Sequence, residues 1–485
     1  MNYRMVVFVL GRIFLVEAAM LLLPMACSVI YGEWYMLPAF LLPAVILLLL
    51  GLAASLRTPK NTTIYARDGL AIVALVWVLM SAFGALPFVI SGEIPAFADA
   101  FFEMVSGFTT TGSTILNDVE ALSRGALFWR SFSHWVGGMG VLVFAMAVLP
   151  MTDGRAMHLM RAEVPGPTCG KLSSKLSDSA KILYGIYFAM TALEVVFLCA
   201  GGMSLYESLI HSFGTAGTGG FSNRGLSIGA YQNPYFEWVI GIFMLLFGVN
   251  FNLYYFILMR HFREAFGSEE LRAYLGIVLF STVTIAANIL SMVGSVGEAV
   301  RTAFFQVSSI ITTTGYATAD FNLWPTYSRI LLLVLMFVGG CAGSTAGGLK
   351  MSRVIIFFKA ARQDLNKMLH THAVTTIRFE GKPLDEKTLQ GVHNYFNVYM
   401  LLIMLSTVLV SLDGFDLTTT FTAVITCINN VGPGMELVGP MGNFSQFSAP
   451  VKYLLSFNML AGRLELYPML AMFAPRLWRR RRTMR

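Results

Sequence analysis

Thr109-Thr110-Thr111-Gly112-Ser113 is the stretch on which the reading turns, because the chain repeats it three more times in altered form. Gly217-Thr218-Gly219-Gly220-Phe221, Thr312-Thr313-Thr314-Gly315-Tyr316 and Asn429-Asn430-Val431-Gly432-Pro433 follow the same plan: a hydroxyl- or amide-rich run ending on glycine, behind a short apolar stretch. Aligned on Gly112, Gly219, Gly315 and Gly432, the copies stand 107, 96 and 117 residues apart by subtraction. One TTTG alone reads as an ordinary turn between helices. Four, each behind a short apolar segment and ahead of a long one, predict four sides of a single pore. Backbone carbonyls in such a pore replace a cation's water without a full charge to trap it. Glycine permits the unusual dihedrals that aim successive carbonyls at one axis.

The composition places this pore in a bilayer. Hydrophobic residues make up 56% and charged residues 13% of the 485, against roughly 25% charged in a soluble domain. Mean hydropathy is +0.66. The formal net charge of +7 sits beside apolar spans and no aromatic-interleaved basic domain accompanies it, so it fits membrane orientation and not nucleic acid. Cys27, Cys169, Cys199, Cys341 and Cys427 are scattered without a CxxC pair, which points to neither a disulfide framework nor a zinc site. The apolar stretch from residue 5 to 30 reads as a retained first helix, not a cleaved signal peptide.

The expected fold is an all-α membrane protein with ten crossings: two leading helices near 5–31 and 35–56, then four units of helix, re-entrant pore loop and helix around one central pore. The units are 61–155, 156–265, 266–380 and 381–485, after a leading pair in 1–60. Their first helices are expected near 67–92, 180–203, 271–293 and 391–412, and their second near 126–150, 236–260, 328–362 and 449–474. The re-entrant pieces, near 97–109, 205–217, 298–313 and 416–430, are too short for the roughly 20 residues a span needs. Non-helical backbone at that depth survives only against protein or a watery cavity. Of the 34 Lys and Arg residues, only Arg124, Arg130, Arg224, Arg301, Arg329 and Lys452 fall on the outer side of this topology, and Arg463 falls inside a helix. That bias predicts cytoplasmic termini and outward-facing filters. The run Arg479 to Arg482 serves as a headgroup anchor or as topology signal alone. Glu93, Asp99, Glu103, Asp118, Glu120, Asp320, Asp413, Asp416 and Glu436 are expected near the outer mouth, where carboxylates raise local cation concentration. Each re-entrant helix aims its negative C-terminal end at the pore.

The helix after the third filter is interrupted by a run carrying Gly339, Gly340, Gly343, Gly347 and Gly348 and ending at Lys350. Glycine costs a helix about 1 kcal/mol each relative to alanine. The run therefore reads as a loop across the pore just below the filter, or as close helix packing through small residues. Its Gly343–Gly348 spacing also fits a phosphate loop, but Leu349 stands where the lysine belongs. Arg463, an intramembrane cation, is a functional candidate by default; facing the pore it would oppose cation passage. His370 and His372 in the basic loop 359–390 read as solvated residues more readily than as metal ligands. That loop, with Lys359, Arg362, Lys367, Arg378 and Lys382, is a docking surface for a partner or only an orientation signal. Asn250 and Asn252 line the cavity or bond between helices.

With the four filters, Trp135-Val136-Gly137-Gly138-Met139-Gly140, the run Gly339 to Lys350 and Ala461-Gly462-Arg463-Leu464-Glu465, the chain resembles the Trk/Ktr/HKT superfamily of cation transporters over essentially its whole length. The resemblance implies potassium (K+) as the permeating ion at a bacterial cytoplasmic (inner) membrane. The implied K+ contacts are Thr110, Thr111 and Gly112; Thr218 and Gly219; Thr313, Thr314 and Gly315; and Asn430, Val431 and Gly432. It also implies a gate at the glycine run and Arg463, a homodimer with one pore per subunit, and a cytoplasmic TrkA-like nucleotide-binding (NAD/ATP) regulatory subunit. Glycine at all four filters implies potassium preference. Only the glycine recurs in all four, which implies fewer ordered carbonyl rings and weaker discrimination than a TVGYG filter. A cation-coupled secondary transporter is the alternative; it calls for ionisable residues at the midplane, where this reading finds only Arg463 and Glu465. A membrane enzyme is set aside: no HExxH, no nucleophile elbow and no paired carboxylates within one span are present.

Overall fold

The computed structural model describes residues 1–61, 64–140, 176–370 and 376–478. Helices dominate them, and the one sheet among them is a hairpin pairing β1 (Arg378–Phe379) with β2 (Lys382–Pro383). The leading pair is α1 (Tyr3–Met20), continued by α2 (Leu22–Ile30), and α3 (Leu37–Ser55). Glycine sets their approach: a Cβ on Gly11 would lie 2.6 Å from the Ala54 Cβ, and one on Gly51 would lie 2.8 Å from the Leu15 side chain. Close packing through small residues is how helices associate where lipid removes the hydrophobic drive between them.

Four times the chain then runs from a long apolar helix into a short one. The pairs are α4 (Ala66–Ser91) and α5 (Phe97–Phe108), α7 (Leu176–Ala200) and α8 (Leu205–Gly217), α12 (Glu269–Ile289) and α13 (Val296–Ile311), and α16 (Glu386–Val410) and α17 (Leu417–Asn429). The short helices have 12, 13, 16 and 13 residues. At about 1.5 Å per residue they cannot cross a core roughly 30 Å thick. Their starts are written locally: Ser204, Ser295 and Asp416 cap the first turn with side-chain oxygens on the N–H groups of Glu207, Glu298 and Thr419.

The second helix of each unit departs from expectation. None among the described residues runs unbroken through its predicted span. In unit one, α6 (Arg124–Gly138) ends at Gly138, and the remainder of 126–150 lies outside the described residues. In unit two, α9 (Pro234–Phe247) and α10 (Phe251–Leu258) meet at 92°. A six-residue helix, α11 (Phe262–Gly267), leads from there into α12. In unit three, α14 (Thr326–Val338) and α15 (Met351–Leu369) flank the glycine run. In unit four, α18 (Ala449–Arg463) stops at Arg463, with α19 (Tyr467–Met472) and α20 (Pro475–Trp478) beyond it. Six helices among the described residues are long and apolar enough to cross a membrane, or seven if the bent pair counts as one.

The Gly11 contact carries a prediction. Gly11→Leu will lower the thermal midpoint in detergent, at an overpacking cost of about 1–3 kcal/mol; an unchanged midpoint would show that the α1–α3 contact is slack.

Candidate functional site

All four short helices end in the same turn. The N–H groups of Thr111, Gly219, Thr314 and Val431 bond back five residues to the carbonyls of Ser106, Gly214, Ser309 and Thr426, at 2.9, 2.8, 2.8 and 3.0 Å. One residue earlier, Thr110, Thr218, Thr313 and Asn430 sit in the left-handed region with φ of 57°, 55°, 56° and 55°. One residue later, Gly112, Gly220, Gly315 and Gly432 have φ of 84°, 76°, 85° and 102°. A five-residue back-bond closing over a left-handed residue is a Schellman-type C-cap. Threonine, being β-branched, rarely adopts that conformation, and three of four copies force it to. Strain of that kind costs about 1–3 kcal/mol per residue and collects at functional sites.

This geometry corrects the alignment of the second segment by one place. Gly220, not Gly219, is the equivalent of Gly112, Gly315 and Gly432, while Gly219 matches Thr111, Thr314 and Val431. The signal was present in the sequence, because Gly220-Phe221 matches Gly315-Tyr316.

The turns close into a ring. A Cβ on Gly112 would lie 2.1 Å from the Gly219 carbonyl oxygen; on Gly220, 2.1 Å from that of Thr314; on Gly315, 2.3 Å from that of Val431; and on Gly432, 2.8 Å from that of Thr111. Each segment thus abuts the next in the order one, two, three, four, one, with a backbone carbonyl at every seam. Seam-specific bonds add to this: Ser113 Oγ donates to the Gly432 carbonyl at 3.0 Å, and Asn430 Nδ2 donates to Thr111 Oγ1 at 2.8 Å. Tyr316 donates its hydroxyl to the carbonyls of His211 and Phe221 at 3.0 and 3.2 Å, tying the third segment to the second. Behind segments one and two, the buried Arg130 and Glu103 pair at 2.7 Å. Glu103 also accepts from Thr114 Oγ1 and the Ile115 N–H, each at 3.0 Å, and the Arg130 guanidinium stacks 3.9 Å over Phe221.

The glycine run lies directly against this ring. The Gly347 N–H donates to Thr313 Oγ1 at 2.6 Å and the Gly348 N–H to the Asn429 carbonyl at 3.1 Å. Gly339, Gly343, Gly348 and Lys350 have positive φ, so the run is a loop and not a packed helix. Lys350 Nζ folds back onto the Ala346 carbonyl at 2.5 Å. Gly340 packs against Ala346, where an added Cβ would approach to 2.6 Å. Arg463, at the end of α18 in the neighbouring unit four, reaches both the loop and unit one: Nη1 donates to the Thr345 carbonyl at 2.7 Å, and Nη2 donates to those of Gly137 and Gly138 at 2.5 Å each. Glu465 pairs with Arg353, not with Arg463.

A family model for the cation transport protein TrkH matches residues 37–480. The chain belongs to the TrkH family. It is 38% identical over 421 residues to the Trk system potassium uptake protein TrkH of Escherichia coli strain K12, covering 85% of this chain and 86% of that one. It is 33% identical over 484 residues to the Trk system potassium uptake protein TrkG of the same strain, covering 99% of each. The crystal structure of the potassium transporter TrkH from Vibrio parahaemolyticus superposes with a TM-score of 0.88 at 30% identity, over 99% of this chain and 100% of that one. A TrkH-family chain is a cation transporter and not an enzyme.

The remaining candidates fall differently in this TrkH-family chain. Glu103 does not line the mouth, being buried against Arg130. Most other mouth carboxylates are engaged locally: Asp99 with Lys452, Glu436 with Arg329, Glu120 with Arg224, and Asp413 with Ser448. Asn250 caps α10 through the Asn252 N–H at 2.9 Å. His370 is an exposed helix end, and His372 lies outside the described residues. Glu17 and Glu194 are buried in spanning helices, so Arg463 and Glu465 are not the only ionisable groups there. No cluster of three or more His, Cys, Asp or Glu able to hold a metal occurs among the described residues.

Tyr316→Phe will remove the hydroxyl that bridges the His211 and Phe221 carbonyls, at a cost of about 1 kcal/mol. The expected result is a lower thermal midpoint in detergent with the protein still folded; an unchanged midpoint would show that Tyr316 does not brace the second segment.

Proposed function

We propose that this chain takes up potassium ions across the bacterial cytoplasmic membrane through the ring of four turns, with both termini inside and the ring toward the outside. The closed cyclic order of the seams supports this reading, because it brings backbone carbonyls from all four units together in one ring. Four carbonyl dipoles at each level replace part of a cation's hydration shell, and none carries a full charge that would hold the ion. The short helices add the negative ends of their dipoles behind the ring. The K+ contacts are Thr110, Thr111 and Gly112; Thr218, Gly219 and Gly220; Thr313, Thr314 and Gly315; and Asn430, Val431 and Gly432. Uptake runs down the electrochemical gradient, to which the membrane potential contributes about 2.3 kcal/mol per charge per 100 mV.

The glycine loop and Arg463 form the gate. In the arrangement described above the loop sits against the ring and Arg463 bridges it to the opposite wall, so a hydrated cation has a guanidinium and a fold of backbone in its path. Opening requires Arg463 to release Thr345. The chain acts as a homodimer, one pore per subunit, regulated by a cytoplasmic nucleotide-binding subunit, with the basic surface 359–390 as the docking face. The 33–38% identity to proteins named as parts of a Trk system for potassium uptake supports a role within a system of more than one component.

Buried Glu194, beside Thr215 near the C-terminal end of the second short helix, favours a second reading in which potassium entry is coupled to protons. An intramembrane carboxylate is costly unless it serves a function.

Flux in proteoliposomes holding this chain alone tests both readings. Uptake driven by an imposed potential, with potassium and rubidium ahead of sodium and lithium, is expected. Equal sodium passage would remove the selectivity assigned to the four turns. Uptake that follows an imposed pH gradient and is lost in Glu194→Gln would replace the channel-like reading with the coupled one. Arg463→Ala is expected to raise flux at matched protein amount, and unchanged flux would refute its role in the gate.

A further inference from the structure

The glycine loop is fixed from below as well as from the ring. Glu270, in the first turn of α12, is buried, and a single carboxylate oxygen accepts from two backbone donors: the Ala342 N–H at 2.8 Å and the Ser352 N–H at 2.9 Å. Those residues stand on either side of the segment 343–351, one inside the loop and one in the first turn of α15. One oxygen therefore bridges the two ends of the loop. Hydrogen bonds to a charged acceptor are roughly twice as strong as neutral ones.

Glu270 is itself held in place. Glu380, in the turn of the β1–β2 hairpin, accepts from Ser268 Oγ at 2.8 Å and from the Glu270 N–H at 3.0 Å. The neighbouring Glu269 pairs with Lys359 of α15, and Lys359 Nζ also donates to the Arg378 carbonyl at 2.8 Å. Phe379 of the hairpin is buried with Ile356 of α15 and Val392 of α16. The hairpin, the start of α12 and the first half of α15 thus share one junction beside the loop.

We infer that Glu270 is a positioning residue that clamps the loop in its closed arrangement, and that the hairpin, through Glu380, sets where that clamp stands. The inference rests on the gate reading above. Lifting the hairpin draws Glu380 from the Glu270 N–H, tilts the first turn of α12 and takes the carboxylate away from Ala342 and Ser352. The loop then loses its lower anchor while its contacts to Thr313 and Asn429 remain. On this account the hairpin is the point at which a cytoplasmic event reaches the pore.

Potassium, rubidium and sodium flux in proteoliposomes under an imposed potential tests the clamp, using the full chain and its Glu270→Gln, Glu270→Ala, Glu380→Gln and Arg463→Ala variants. Glutamine keeps an acceptor oxygen without the charge and alanine removes both bonds, so the expected order of potassium flux is wild type, then Glu270→Gln at about threefold, then Glu270→Ala at about tenfold, as weakening and then losing the bridge shifts a two-state loop by roughly those factors. Glu380→Gln is expected to rise with Glu270→Gln. The potassium-to-sodium ratio stays at the wild-type value throughout, whereas general structural damage would lower flux or blur the ratio. Because the glutamine variants are isosteric, they carry the test even if Glu270→Ala fails to fold. Wild-type flux in both glutamine variants while Arg463→Ala conducts more would overturn the clamp and leave the gate standing. Wild-type flux in all of them would bring down the gate reading as well.

Discussion

The structure depends on four seams at which no side chain fits. At each, a glycine α-carbon faces the carbonyl of the neighbouring unit, so closely that a Cβ would fall 2.1–2.8 Å from the oxygen. The glycines also hold positive φ, so two independent constraints favour glycine at each seam. The seams draw the units together, and the left-handed residue beside each pays the conformational cost. Five-residue back-bonds inside each turn and hydroxyl bonds such as Thr109 Oγ1 to the Val105 carbonyl at 2.6 Å and Thr312 Oγ1 to the Ser308 carbonyl at 2.6 Å offset it. Those bonds turn the first threonine of each triplet back toward its own helix, which leaves the backbone to face the neighbouring unit.

The same economy governs the broken second helices. In hydrocarbon, every freed backbone group needs a partner within the protein. The break in unit two and the loop in unit three supply one another: the Cys341 N–H donates to the Gly248 carbonyl at 2.9 Å, and the Phe251 N–H to the Gly343 carbonyl at 3.0 Å. In unit four, the Leu466 N–H closes back on the Ala461 carbonyl at 2.7 Å, and Arg463 is aimed across the centre from the end of the helix so formed. Glycines seat these breaks under the short helices. A Cβ on Gly137 would strike the Phe108 carbonyl and one on Gly462 the Ile428 carbonyl, at 1.8 and 1.9 Å. The motifs around Gly137, Gly348 and Gly462 are therefore packing rules for a surface made of backbone.

Much of this was legible because period and length are local properties. The four short helices begin and end within two or three residues of expectation, since Ser204, Ser295 and Asp416 announce their starts and glycine their ends. Register was not legible in the second segment, where two adjacent glycines, Gly219 and Gly220, compete and only the φ pattern decides. The second helices were also overestimated: neither Phe247 to Phe251 nor Ala461 to Leu466 carries a proline to mark a break, and only tertiary contact shows where the helix yields. Glu103 looked like a mouth carboxylate because its partner Arg130 lies 27 residues away, beyond the reach of any local pattern. Glu270 gave no signal, as its ligands are backbone amides, which sequence does not mark.

Because one chain writes all four sides of the ring, the seams differ. Asn430 and Ser113 bind only where unit four meets unit one, Tyr316 only where three meets two, and the Arg130–Glu103 pair only behind one and two. In a ring of four identical subunits any substitution is imposed four times, and an intermediate change is out of reach. Here a single codon alters one quarter of the circumference. The fused repeat lets the shape of the ring change in small asymmetric steps, keeping three intact sides while the fourth is tried.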